Sequence, residues 1–254
     1  MWDPDTYLGY ESLRARPFYD LIARVEAGSP RRIVDLGCGP GNLTIALGRR
    51  WPCAALEAID SSPEMVAAAQ SRGLDARLAD VAEWSPRPDT DVLVCNAVLH
   101  WVADHKQLMR RWAGALGRGS WIAVQMPANF AEPSHTLARA LAAESQWRRA
   151  LEDAAPIEGG AVKDPVEYAQ LFSSAGCAVD VWQTTYIQRL TGKDPVFEWI
   201  AGTALRSVRA ALTDDAWDQF RAELVPRLRM AYPRQPDGAT WFPFRRLFVA
   251  ARVR

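Results

Sequence analysis

The residues best placed to bind a small molecule form a glycine-rich turn near the start of the chain. The turn, residues 35–42 (DLGCGPGN), ends a short apolar segment and precedes a segment with helical periodicity. Glycines between a strand and a helix let the backbone pass close to a ligand. Gly37 and Gly39 match the dinucleotide pattern G-x-G-x-x-G, but Gly41 comes one residue early. This displacement disfavours a pyrophosphate ligand and allows the loop, with Asp35, to lie against a thioether or sulfonium and an amino-acid group.

Three further polar residues follow predicted strands, each where a strand ends. Asp60 ends the second strand, and an acid there can accept hydrogen bonds from both hydroxyls of a ribose. Asp80 follows the third strand and precedes Val81, so its carboxylate could accept from an adenine amine while Val81 faces the ring. Asn96 ends the fourth strand. Because doubly wound sheets bind ligands at the carboxyl ends of their strands, these residues together predict a nucleoside site.

The elements that must position these residues alternate between strand and helix in the first half of the chain. Strands are predicted over 33–36, 54–59, 74–79, 91–96 and 120–126, with helices over 42–50, 63–72 and 104–116. An amphipathic helix with Pro17 in its first turn precedes them. Alternation at this spacing indicates parallel strands joined by right-handed crossovers, and so an α/β sheet with helices on both faces.

The second half of the chain predicts fewer strands and more helix. Helices are predicted over 134–151, 165–175, 194–211 and 214–231, and strands over 177–187 and 242–253. The two late strands complete a Rossmann-like, mostly parallel seven-stranded sheet, with a helical lid inserted between them at about 188–240. We expect one domain over 1–254, with a helical segment at 1–30, a cofactor-binding core at 31–155 and a substrate side at 156–254.

Composition excludes several classes of function. Thirty basic and thirty acidic residues give a net charge of zero, which disfavours a nucleic acid or an anionic membrane as partner. Apolar runs such as 93–98 are far shorter than the ~20 residues that span a bilayer. The N-terminus opens with acidic residues rather than the basic and apolar regions of a signal peptide. The sequence therefore predicts a cytoplasmic protein, and it leaves the oligomeric state open.

Cysteine and histidine spacing predicts neither disulfides nor a metal site. The four cysteines and three histidines show no C-x-x-C pattern and no paired ligand spacing. A reducing compartment agrees with this usage of cysteine.

The glycine turn and the polar strand ends resemble the class I S-adenosylmethionine-dependent methyltransferases. In that family, acids at the positions of Asp60 and Asp80 bind the ribose and the adenine, and the position of Asn96 lies beside the transferred methyl group. The resemblance implies S-adenosylmethionine as cofactor, S-adenosylhomocysteine as product and no metal. It adds Ser61, beside Asp60, and Tyr7, in an N-terminal segment that can fold over the cofactor, to the predicted cofactor ligands.

A closer resemblance holds to the subgroup whose members esterify a carboxylate of trans-aconitate. The shared stretches are 35–42, 59–63, 101, 104–105, 124–127, 132–135, 175–177, 182–186, 205–206 and 246–250. The Gln-Met-Pro segment and the Trp-x-Thr-Thr-Tyr strand are the more specific of these, because substrate-facing segments diverge most between subgroups. The resemblance implies a small tricarboxylate substrate, bound by residues from this set: Trp101, Gln125, Asn129, Tyr186, Arg206 and Arg246.

Carboxylate methylation needs no catalytic side chain, so we predict none. A carboxylate is already a nucleophile at pH 7 and has no proton to lose. Holding it in line with the methyl group supplies the rate enhancement through proximity and orientation. His100 and His135 are then hydrogen-bonding or structural groups rather than bases.

Three alternatives stay open on the sequence. Another small-molecule methyltransferase could act on a phenol, an amine, an acidic carbon or a carrier-bound carboxylate. A phenol or carbon acceptor would need a base, for which His100 or His135 would be the candidate. A binding module could use S-adenosylmethionine as a signal without turnover. An NAD-dependent oxidoreductase is disfavoured by the displaced Gly41.

Overall fold

The sheet that the sequence predicts is present in the computed structural model, which describes residues 11–155, 157 and 162–254, with side chains from Ala15 onward. Its strand order is β3-β2-β1-β4-β5-β7-β6. The strands are β1 Arg32–Leu36, β2 Ala55–Asp60, β3 Ala76–Leu78, β4 Thr90–Asn96, β5 Trp121–Pro127, β6 Cys177–Leu190 and β7 Thr240–Val253. The pairs from β3 to β5 are parallel and β7 is antiparallel to β5, which confirms the predicted fold class.

The central strands form because they are apolar on both faces. Ile33, Val34 and Leu36 of β1 are fully buried, as are residues 92–95 of β4. Strands of a parallel sheet that is covered on both sides have such continuous apolar runs. The apolar runs therefore determine where the central strands lie, and the polar residues that end them lie at one edge.

Helices connect most of the strands. They are α1 Glu11–Ile22, α2 Thr44–Arg50, α3 Pro63–Ser71, α4 His105–Ala115, α5 Pro133–Ala142, α6 Ser145–Arg148, α7 Pro165–Ser174, α8 Pro195–Ala201, α9 Arg206–Ala211 and α10 Asp214–Ala231. A 3₁₀ turn covers Leu99–Trp101. Helices α8, α9 and α10 come between β6 and β7, as the predicted insertion requires. Among the described residues, no helix combines the length and the apolar character needed to cross a membrane.

Two long helices predicted from periodicity are wrong, because each is divided in two. The predicted helix 134–151 ends at Ala142, where the guanidinium of Arg148 donates to the carbonyl of Ala143 and so satisfies a group at the helix end. The predicted helix 194–211 is interrupted after Ala201 by Gly202, a poor helix former. Apolar periodicity continues across both breaks and therefore could not reveal them.

Pro17 lies inside α1 rather than in its first turn, which corrects the predicted start of this helix. The apolar stripe of the helix is nevertheless buried as expected, at Phe18, Leu21, Ile22 and the following Val25. The helix begins earlier, at Glu11.

The chain divides into two compact units. The first unit comprises the described residues within 1–127, 161–184 and 246–254, and the second comprises those within 128–160 and 185–245. The core of the first unit includes Phe18, Trp112 and Tyr168, whereas an aromatic cluster at Trp199, Phe242 and Phe244 fills the second. These bounds do not coincide with the expected division at 155/156, and the expectation of one methyltransferase domain stays a prediction.

Candidate functional site

The glycine turn after β1 depends on three glycines in left-handed backbone conformations. Gly37, Gly39 and Gly41 have φ angles of 79°, 56° and 80°. A Cβ added at Gly37 would lie 2.1 Å from Cγ2 of Val98, and one at Gly41 would lie 2.4 Å from Cδ1 of Leu74. A Cβ at Gly39 would meet nothing within 4 Å. Gly37 and Gly41 are therefore required by the packing of the protein itself, whereas the Gly39 position faces open space that a ligand could use.

Asp60 joins the end of β2 to this turn. Its Oδ2 accepts the backbone N–H of Gly39 at 2.8 Å, and its Oδ1 accepts the backbone N–H of Ser62 at 2.9 Å. An ionised carboxylate has about four lone-pair sites, so two acceptor sites are left. Ser61, between the two, is exposed. Asp60 is thus held rigidly and can still accept from two hydroxyl groups.

Asp35 lies buried at the end of β1, where Thr44 Oγ1 donates to its Oδ2 at 2.7 Å. Burial raises the pKa of Asp35 to about 6, and the negative charge of Asp60 adds to the increase, while the Thr44 hydrogen bond opposes it. The charged form of Asp35 is therefore poorly solvated. A positive charge bound nearby would stabilise it.

Asp80 lies two residues after the end of β3, and Val81 comes directly after Asp80. Asp80 Oδ1 accepts the backbone N–H of Ala82 at 2.8 Å, and the backbone N–H of Ala79 donates to the carbonyl of Asp60 at 3.0 Å. Val81 is buried, whereas the side chain of Asp80 is exposed. The ends of β2 and β3 are therefore linked by a backbone hydrogen bond, with an exposed carboxylate beside a buried apolar residue.

The ends of β4 and β5 bring Asn96 and Gln125 together. They are direct neighbours in the parallel register, and both are polar groups at the carboxyl end of a central strand. Within the described part of the chain, Asn96 Oδ1 and Gln125 Nε2 are buried without a hydrogen-bond partner. Buried polar atoms are nearly always paired, so these two atoms call for a ligand or an ordered water.

Ala97, directly after Asn96, adopts a left-handed conformation with φ of 59°. Its N–H donates to the carbonyl of Gln125 at 2.8 Å, which holds the chain in this conformation. Strain of this kind is often found at binding sites. No feature of the sequence indicates it, because alanine has no preference for a positive φ.

His100 and Arg246 are two further buried ionisable groups near this edge of the sheet. Burial and the positive charge of Arg246 lower the pKa of His100 to about 3, so the imidazole is neutral at pH 7. Arg246 is itself buried and pairs in β7 with Pro127, two residues beyond Gln125. Trp101 is half-exposed, with its ring 4.7 Å from that of His100. The first unit thus brings a cation, a neutral imidazole and two amides to the ends of β4 and β5.

The remaining predicted substrate ligands lie in the second unit. Asn129 is 1% exposed, and neither atom of its amide group has a hydrogen-bond partner among the described residues. Tyr186 is buried on β6, and Arg206 begins α9 with its side chain half-buried. Tyr7 lies outside the described residues. Asn129 therefore resembles Asn96 and Gln125 in having buried side-chain amide atoms without a hydrogen-bond partner among the described residues.

The sequence analysis interprets His135 as a hydrogen-bonding or structural group, and the structure gives its imidazole a defined environment. His135 Nδ1 lies 3.0 Å from Ser134 Oγ, and the Phe130 ring packs edge-on against the imidazole. Burial lowers the pKa of His135 to about 4. The imidazole is neutral at pH 7, like that of His100. Across the described residues, no group of three or more His, Cys, Asp or Glu side chains is arranged to hold a metal ion.

Comparison with known proteins agrees with these features. Residues 10–181 match the family model described as a methyltransferase domain. The chain is 60% identical over the full length of both proteins to trans-aconitate 2-methyltransferase of Rhodococcus jostii RHA1. It is 58% identical, again over both full lengths, to the protein of that name from Mycolicibacterium gilvum, and 55% identical to the one from Mycobacterium tuberculosis, of which it covers 97%.

Solved structures with this fold are much more distant in sequence. The YcgJ protein from Bacillus subtilis has a TM-score of 0.59 at 15% identity, with 94% of this chain and 98% of that chain covered. Phosphoethanolamine N-methyltransferase 2 of Haemonchus contortus, in complex with S-adenosyl-L-methionine, has a TM-score of 0.53 at 14% identity. That match covers 94% of this chain and 53% of the other. At these identities the likeness shows the fold alone.

Proposed function

This chain belongs to the family of the trans-aconitate 2-methyltransferases, and we propose that it transfers the methyl group of S-adenosylmethionine to a carboxylate of trans-aconitate. The products are a monomethyl ester and S-adenosylhomocysteine. The observation that carries the proposal is 60% identity over the full length of a relative of that name. The arrangement of the glycine turn, Asp60, Asn96 and Gln125 supports it independently.

The residues at the glycine turn fit S-adenosylmethionine. Asp60 has two acceptor sites left for ribose hydroxyls, and the Gly39 position faces open space. Asp35 is a buried carboxylate whose charged form would gain from the positive sulfonium or ammonium group of the cofactor. When bound, S-adenosylmethionine supplies an electrophilic methyl group. We propose Gly37, Gly41, Ser61, Asp80, Val81, Asn96 and Tyr7 as the other residues of this cofactor site.

Substrate binding is assigned first to the ends of β4 and β5. Arg246 brings a buried guanidinium, which matches a carboxylate with two parallel hydrogen bonds. Gln125 adds an unpaired N–H donor, and Trp101 adds a half-exposed aromatic surface. Asn129, Tyr186 and Arg206 are proposed as further ligands on the resemblance to the family. These groups would neutralise and orient the carboxylates that do not accept the methyl group.

The chemistry that these residues support requires no general base. The substrate carboxylate is ionised at pH 7, and His100 and His135 are neutral there. A buried site also excludes water, which would otherwise stabilise the separated carboxylate and sulfonium more than the partly neutralised transition state. The chain therefore contributes binding, orientation and desolvation.

We propose that the protein works in the cytoplasm. Cys38, Cys53, Cys95 and Cys177 are free thiols, and Cys53 is exposed, which suits a reducing compartment. The expectation that about 188–240 forms a lid stays part of the proposal, as does a small tricarboxylate as the partner.

Incubation of the purified protein with methyl-labelled S-adenosylmethionine and single acceptors tests the function. We expect label in an alkali-labile ester with trans-aconitate, and less or none with cis-aconitate, citrate or isocitrate. Calorimetric binding of S-adenosylmethionine to the same preparation checks that the protein is folded. A preparation that binds the cofactor but transfers no label to trans-aconitate would exclude the proposal.

A further inference from the structure

A cavity lies within the second unit. Its volume is about 450 Å³, within the range of pockets that hold small molecules. None of the proposed cofactor or substrate ligands lines it. Much of its wall is apolar and comes from α8, α10 and the residue that follows α10, at Val196, Phe197, Val225, Leu228 and Tyr232.

One side of this cavity carries a fixed ion pair. Arg229 donates to Oδ1 of Asp194 from Nε at 2.9 Å and from its terminal nitrogen at 2.7 Å. Asp194 is buried, and Arg221 approaches its other oxygen at 3.8 Å. The single carboxylate of the lining is thus already occupied by arginine, and it holds the Arg229 guanidinium at the cavity wall.

Two further cations line the cavity without a carboxylate partner among the described residues. They are Lys193 and Arg234. Arg234 Nε donates only to the carbonyl of Gly238 at 3.0 Å, while the nearby carboxylate of Asp237 is paired with Arg189 at 2.9 Å. A cavity with an apolar wall and two cations that lack carboxylate partners is complementary to an amphiphilic anion.

We propose that this cavity binds an amphiphilic monocarboxylate, with its hydrocarbon part against Phe197 and Leu228 and its carboxylate between Lys193 and Arg234. Burial of the hydrocarbon supplies affinity in proportion to the apolar area removed from water. The two cations supply charge-assisted hydrogen bonds to the carboxylate.

Calorimetric titration with octanoate tests this inference, since octanoate carries both features and its short chain keeps it monomeric. Octan-1-ol has the chain without the charge, and acetate has the charge without the chain. We expect saturable one-site binding of octanoate, with octan-1-ol and acetate each at least about tenfold weaker. Equal affinity for octanoate and octan-1-ol, or no saturable binding of octanoate, would overturn the proposal.

A double variant locates the site. Lys193→Gln with Arg234→Gln should raise the dissociation constant of octanoate by about tenfold to a hundredfold, because both cations are removed. The matched control, Arg148→Gln with Arg149→Gln, removes two exposed cations of the same unit that lie outside this cavity. This control should leave the dissociation constant of octanoate unchanged. An unchanged dissociation constant in Lys193→Gln with Arg234→Gln, or an equal loss of octanoate affinity in both double variants, would contradict the proposal that the carboxylate binds at Lys193 and Arg234.

Ionic strength gives a second test that needs no variant. Lys193 and Arg234 are exposed, and salt screens exposed charges. Octanoate binding to the unaltered protein should therefore weaken as sodium chloride is raised, whereas octan-1-ol binding should not weaken. Octanoate binding that is independent of salt would overturn the role of the two cations even if the double variant failed to fold.

Discussion

The carboxylate of Asp60 and the backbone amide of Gly39 are joined by a hydrogen bond of 2.8 Å. This bond links the end of β2 to the middle glycine of the turn after β1. It holds the turn open at Gly39, where an added Cβ would meet no neighbour. One side chain therefore shapes the glycine turn and still has acceptor sites for a ligand.

Replacing Asp60 should weaken cofactor binding. In Asp60→Asn one acceptor oxygen becomes a donor, so hydrogen bonds from ribose hydroxyls to a charged group are lost. We expect the dissociation constant of S-adenosylmethionine to rise by about tenfold to a hundredfold in calorimetry. Asp75→Asn, at an exposed aspartate paired with Arg77, is the control and should bind normally. Similar constants for both variants would remove Asp60 from the site.

The three glycines of the turn should respond differently to alanine. Gly39→Ala should fold with a loss of about 1–2 kcal/mol from its positive φ, because the Cβ meets nothing, and should lose affinity for S-adenosylmethionine. Gly37→Ala has the same cost from a positive φ, and its Cβ also collides with Val98. Its free energy of unfolding should therefore fall by more than that of Gly39→Ala. Urea unfolding and calorimetry on each variant measure both effects. Gly39→Ala with unchanged cofactor affinity would place the cofactor elsewhere.

Asp35 should make the free protein less stable as pH rises from about 4 to 6. Its folded pKa of about 6 exceeds the ordinary value of 3.8, so the folded state binds the proton more tightly in this window. The loss of folding stability that ionisation of Asp35 causes is absent below about pH 4 and complete above about pH 6. Asp35→Asn should therefore add on the order of 2–3 kcal/mol to the free energy of unfolding at pH 7.5 and little at pH 4. Urea unfolding at both pH values measures this, and an equal effect at the two values would contradict it.

Arg246 should act on the acceptor and not on the cofactor. Arg246→Gln should raise KM for trans-aconitate by at least about tenfold, because a charge-assisted pair is lost, and leave the affinity for S-adenosylmethionine unchanged. The control is Arg252→Gln on the same strand, whose guanidinium lies over the Trp121 ring. If Arg246→Gln both raises KM for trans-aconitate and weakens binding of S-adenosylmethionine, the substitution has damaged the strand rather than removed a substrate ligand.

The rate at saturation should not depend on pH between 7 and 9, an interval that lies above the pKa of Asp35 at about 6. The acceptor carboxylate is already ionised, and burial lowers the pKa of His100 to about 3 and that of His135 to about 4, so neither imidazole changes charge in this interval. Measurement of kcat at several pH values, with both substrates saturating, checks this. A rise in kcat that continues above pH 7 would indicate a base and would favour a phenol or carbon acceptor.

The first five strands and the polar residues that follow them could be predicted from sequence because their signals are local. Strand β1 is a run of buried apolar residues that ends at Gly37, and both features are read from neighbouring positions. The division after Ala142 and the interior position of Pro17 could not be predicted in this way. Helix ends depend on carbonyl partners such as the Arg148 side chain, and periodicity does not report them.

The sequence by itself determined the α/β sheet and which residue types would end its strands, since apolar runs and glycines act through local backbone preference. Only the tertiary structure decided which glycine faces open space, because Val98 and Leu74 reach Gly37 and Gly41 from distant parts of the chain. It also decided that Asn96 lies beside Gln125, a consequence of strand register. Contacts of this kind are set by packing between segments far apart in sequence, which no local pattern encodes.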